Sequence, residues 1–153
     1  MKNFRVILFC LFIALFSSGC SSLNEAAFYN NLSRSSIYLK SSSSYITSVV
    51  LAQEKSEETR AKIARVIYDI SFVIENLTVE DDITPESFAA IISRYVPEGS
   101  SLNDFAVNII LLYTDFYSQA DQLEGNIKVR ILLTALNRIS AGCKIASNKY
   151  LIE

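Results

Sequence analysis

The residues best equipped for chemistry are three cysteines, Cys10, Cys20 and Cys143. The 153 residues include no histidine, which excludes Ser-His-Asp and Cys-His nucleophile systems and histidine-containing zinc sites. Four scattered glycines build no glycine-rich phosphate loop. Glu80, Asp81 and Asp82, with Glu86 nearby, are hard oxygen donors that suit calcium. They lack the alternating ligand spacing and central glycine of a helix-loop-helix calcium site, so they read as a solvated loop between helices. No metal, cofactor or catalytic residue is expected. Cys20 is the informative thiol, because it directly follows the small residues Ser17, Ser18 and Gly19.

The elements around Cys20 give that triplet its meaning. Lys2 and Arg5 form a short basic start, and Val6 to Phe16 then runs apolar without a charge. A stable bilayer span needs about 20 apolar residues, so this run has the length of a signal-peptide hydrophobic region instead. Ser18, Gly19 and Cys20 resemble the last three places of the lipobox of bacterial lipoproteins, with Ser17 standing where leucine is usual. The resemblance implies cleavage between Gly19 and Cys20, lipidation of Cys20 and attachment to a membrane through that lipid. It covers about twenty residues and implies an address rather than a fold. An ordinary signal peptidase, which asks only for small residues, is the alternative. In that case Cys20 and Cys143 could form a disulfide, whereas lipidation leaves Cys143 single. Ser21 and Ser22 follow the cysteine where enterobacteria-like families place an aspartate to retain a lipoprotein in the inner membrane. Their presence implies the outer membrane, facing the periplasm, in a Gram-negative host.

Removal of residues 1–19 leaves 134 residues, with twelve basic against sixteen acidic side chains and a net charge of −4. That length suffices for one domain with a core. A mildly acidic surface repels phosphate backbones, so no nucleic-acid partner is expected. The asparagine sequons at Asn31 and Asn76 are short enough to arise by chance, and the lipobox argues for a bacterium, where they carry no glycan.

The rest of the chain reads as helices. Leu102, Phe105, Ile109, Leu112, Phe116 and Leu123 recur at helical spacing, with Gln119 in the one polar slot. Val129, Leu132, Leu136, Ile139, Cys143, Ala146 and Tyr150 repeat the pattern. Ser101 with Asp104 suggests an N-terminal cap for the first, and Gly125 a left-handed residue ending it. These two helices should turn back as a tight antiparallel hairpin about Gly125. Ile67 to Glu124 holds eleven acidic residues against Arg94 alone, while Asn126 to Glu153 holds five basic residues against Glu153. The opposite signs favour intramolecular pairing over contact of a basic helix with anionic lipid.

Upstream, Ile63, Val66, Ile67, Ile70, Val73, Ile74 and Leu77 mark another amphipathic helix. Thr84, Pro85 and Glu86 open a shorter one, which stops near Tyr95 because Pro97 disfavours helix at Val96. The serine-rich stretch 21–48 reads as a short tether merging into a long helix, where Ser41 to Ser44 permit close packing. The expected fold is an all-α, up-and-down bundle of about four main helices plus one short helix, over residues 20–150 behind the signal peptide 1–19.

Function is read from this shape. A bundle anchored at the envelope and meeting a protein partner there, as an interaction or scaffolding protein, is the leading class. A carrier of an apolar ligand inside the bundle is the alternative, and an enzyme the least supported. Tyr113, Phe116 and Tyr117 could line a ligand pocket or dock a partner, but their spacing belongs to a core. Cys143, on an apolar seam, reads as a small buried hydrophobe.

Overall fold

The computed structural model of the chain describes residues 25–97 and 100–151. Five α-helices follow one another: α1 (Glu25–Gln53), α2 (Glu57–Glu75), α3 (Pro85–Ser93), α4 (Leu102–Ala120) and α5 (Gly125–Ser147), with a short 3₁₀ turn at Asn148–Tyr150. No strand occurs among the described residues. The fold is an all-α bundle around one core, as the two seams require.

Local chemistry sets most helix ends. The Ser56 hydroxyl accepts the Thr59 N–H at 3.3 Å, and Glu57 and Glu58 occupy the positive end of α2. Thr84 caps α3 in the same way, accepting the Ser87 N–H at 3.4 Å, with Pro85 at the first helical position. Two expected signals act differently. Ser101 lies in helical backbone and makes no side-chain cap; the Asn103 N–H bonds to the Ser100 carbonyl at 3.0 Å instead. Gly125 does not end α4, which stops at Ala120 and closes through the Leu123 N–H to the Ala120 carbonyl at 3.0 Å. The glycine begins α5, at φ +56°, a conformation that lacks the steric penalty only without a Cβ.

Most seam positions are buried, while Val129 and Tyr150 are half-buried. Leu102, Phe105, Ile109, Leu112 and Phe116 of α4 are buried, as are Leu132, Leu136, Ile139, Cys143 and Ala146 of α5. Ile110 and Leu133, beside the seams, are half-buried. The partner of α5 differs from the expectation. The chain does turn back between α4 and α5, yet α5 packs most extensively on α1 and next on α2. The reason is side-chain size. Gly142 meets α1 so closely that an added Cβ would lie 2.1 Å from the Ser43 Oγ and 2.2 Å from the Lys40 carbonyl oxygen. Small residues let two helix axes approach below the usual 8–10 Å range, and the serines of α1 supply them.

α1 and α5 run in the same direction. Gly142 crosses α1 at Ser43, and at the far end Tyr150 stacks under Arg60, whose guanidinium bonds the carbonyls of Leu51 and Glu54 where α1 stops. α2 descends beside them, α3 carries the chain back, and α4 descends again on the other side of the core.

Candidate functional site

Gly19 and Cys20, the expected cleavage and lipidation sites, lie outside the described residues. α1 begins at Glu25, five positions after Cys20.

Cys143 lies at the centre of the molecule, fully buried. Around it, Ser43 and Thr47 of α1, Ser71 of α2, and Ser140 and Ser147 of α5 are also fully buried. Most of these hydroxyls bond to helix carbonyls: Ser71 Oγ to Ile67 at 2.7 Å and Ser147 Oγ to Cys143 at 2.8 Å. Ser140 Oγ reaches the Ser71 carbonyl at 2.8 Å and ties α5 to α2. Thr47 Oγ1 has no oxygen or nitrogen partner. Burial pushes the Cys143 thiol up to about 11, against a smaller opposite pull from the hydroxyls of Thr47, Ser71 and Ser43. A thiol held neutral and shielded from water is not a nucleophile. This layer is structural: small side chains that let three helices meet.

The aromatic cluster is likewise core. The Tyr113 ring is fully buried, 4.6 Å from Phe88 and edge-on to Tyr117 at 6.2 Å. Its hydroxyl donates to the Ile83 carbonyl at 2.5 Å, so the ring fastens the loop before α3 onto α4. Burial raises its pKa well above the usual phenol range.

The carboxylates of the acidic loop serve its own backbone. Asp81 accepts from the Thr78 N–H at 2.7 Å and the Thr78 hydroxyl at 2.9 Å. Asp82 accepts from the Ser87 hydroxyl at 2.5 Å and the Thr84 N–H at 3.2 Å. These bonds hold both carboxyls below their ordinary range. Among the described residues, no group of histidine, cysteine or acidic side chains is placed to hold a metal ion.

The surface of α5 is where the sequence reading was incomplete. Gly142 faces α1, while Lys144 reaches α2, pairing with Glu75 and lying over the rings of Phe72 at 5.4 Å and Tyr68 at 5.7 Å. α5 is thus flanked by α1 and α2. The arc between those flanks, away from Cys143, carries Ile127, Arg130, Thr134, Arg138, Ala141 and Ile145. Ile127 and Ile145 are exposed, at 46% and 47%. Exposed apolar residues border the arc on both sides: Ile37 on α1 and Phe72 on α2. Their signal in the sequence is that Ile127 and Ile145 fall out of phase with the α5 seam.

The expected charge pairing is realised in part. Lys128 bonds Asp121 at 2.8 Å, which raises its pKa, and it sits 4.7 Å above the Tyr117 ring. Lys144 turns to α2 rather than α4. Arg130 and Arg138 are exposed and form no ion pair among the described residues. No described helix is long and apolar enough to cross a membrane. Comparison with protein-family models, with curated proteins and with solved structures finds no match for this chain.

Proposed function

We propose that this chain is a small lipid-anchored helical protein of the bacterial envelope, tethered through Cys20 and acting as an interaction or scaffolding protein. The observation that carries the reading is the Ser18-Gly19-Cys20 triplet directly after an uncharged apolar run. α1 starts within five residues of the cysteine, so a lipid there holds the bundle close to the bilayer. Ser21 and Ser22 favour the outer membrane, and a protein partner in the envelope would meet the exposed helices.

Metabolic labelling with palmitate in a bacterial host tests the anchor. The wild type should incorporate label and Cys20→Ser should not. Label in both, or in neither, refutes lipidation at Cys20, and recovery with the inner membrane after density separation refutes the sorting.

A further inference from the structure

Charge is distributed over this fold by helix rather than at random. α1 has no acidic residue after Glu25, and α5 has none in its 23 residues, while α5 carries Lys128, Arg130, Arg138 and Lys144. Apart from Glu25 and Glu153, the acidic residues lie on α2, α3, α4 and the connections. The outer arc of α5 and the adjoining face of α1 therefore join Arg130 and Arg138, which form no ion pair among the described residues, to the exposed apolar side chains Ile37, Ile127 and Ile145. Of the four cations on α5, Lys128 and Lys144 are neutralised internally, by Asp121 and Glu75; among the described residues Arg130 and Arg138 are not.

We infer that this α1–α5 face lies on an anionic phospholipid surface. Guanidinium groups attract the headgroups, and the isoleucine side chains beside them insert at the headgroup level, as on interfacial amphipathic helices. The acidic α4 side would then point away from the bilayer. The inference deepens the anchored reading and rests on it for the nearness of a membrane. Charge complementarity selects lipid over a second copy of this chain, because two copies joined by this face would set arginines against arginines.

The test is vesicle sedimentation of the full chain carrying Cys20→Ser, which removes the lipid anchor from the measurement. Residues 1–19, with Lys2 and Arg5, attract anionic lipid in every variant alike, so the decisive reading is the ratio between variants on the same vesicles. Vesicles of phosphatidylcholine alone are compared with vesicles containing phosphatidylglycerol. Binding should favour the anionic vesicles and weaken with added salt. Arg130→Gln and Arg138→Gln should each weaken it about fivefold, and together about twentyfold. Arg94→Gln, which changes net charge equally from the exposed end of α3, should leave the ratio within about twofold. Equal binding to both vesicle types, or equal effects of the three substitutions, overturns the inference. A change of oligomeric state in the arginine variants, seen by sedimentation velocity without a change in lipid binding, also overturns it and assigns the face to self-association. Failure of palmitate labelling with lipid preference intact would end the anchor reading alone.

Discussion

Two contacts in this bundle are built on opposite principles. Between α1 and α5 the side chains are small: Ser43 against Gly142, with Thr47, Cys143 and Ala146 buried around them. Between α3 and α4 they are large: Phe88 against Tyr113, both fully buried. The first contact is stabilised by closeness, since many atoms of two backbones lie within van der Waals range. The second is stabilised by volume and ring geometry, plus one hydrogen bond to a loop carbonyl. A close contact tolerates loss and not growth; a bulky one tolerates neither loss nor the cavity it leaves.

The aromatic contact should give the largest effect. α3 has nine residues, too few to be stable alone, and Phe88 and Ile92 are its buried side chains. Phe88→Ala removes the ring and leaves a hole beside Tyr113, at a cost of about 3 to 5 kcal/mol. Chemical denaturation with fluorescence of the tyrosines measures it, and a loss under about 1 kcal/mol would mean α3 is dispensable.

Growth at the close contact comes next. Gly142→Ala places a methyl group against the Lys40 carbonyl, which is backbone and cannot rotate away. Alanine is the better helix former by about 1 kcal/mol, so on an isolated helix the change would be stabilising. Here it should destabilise by about 1 to 3 kcal/mol as α1 and α5 are pushed apart. A melting point at or above that of the wild type would remove the close-approach account. Ala146→Gly, which shortens a neighbour instead, should cost about 1 to 2 kcal/mol through helix propensity and the loss of one buried methyl group.

How far each contact was legible follows from what periodicity records. Spacing of apolar residues located α2, α4 and α5 and the seam residues, because burial of a helix face needs a 3.6-residue repeat. Thr84 and Pro85 marked the start of α3, since cap chemistry is local. The pairing of α5 with α1 was not legible in that way. Helix partners are chosen by steric fit across residues about a hundred positions apart, and a serine opposite a glycine leaves no periodic trace. Ser101 failed as a cap because a turn at Ser100 satisfied the same N–H group region first. Gly125 has the left-handed backbone that its type suggests, but at the start of α5 rather than the end of α4, because positive φ serves either side of a tight turn. The Cys20 motif was read wholly from sequence and lies outside the described residues. The α1–α5 surface emerged only once α5 had a known orientation.

The smallest expected effect bears on how the close contact treats polar atoms. Thr47 is fully buried, and its hydroxyl faces a thiol, a poor hydrogen-bonding partner. Its Oγ1 was stripped of water on folding with little in return. Thr47→Val keeps the β-branched shape, fits the same space and removes that unpaired group, so the desolvation term disappears. The variant should be as stable as the wild type or gain up to about 1 kcal/mol, measured by urea denaturation with an unchanged m-value. By contrast, Ser140→Ala should lose about 1 kcal/mol or more, because its hydroxyl bridges α5 to α2 and its removal leaves the Ser71 carbonyl without that donor. A loss at Thr47→Val equal to that at Ser140→Ala would show that the hydroxyl is held by Cys143 as firmly as a serine is held by a carbonyl. The buried layer would then act as a hydrogen-bonded network rather than as a set of small side chains.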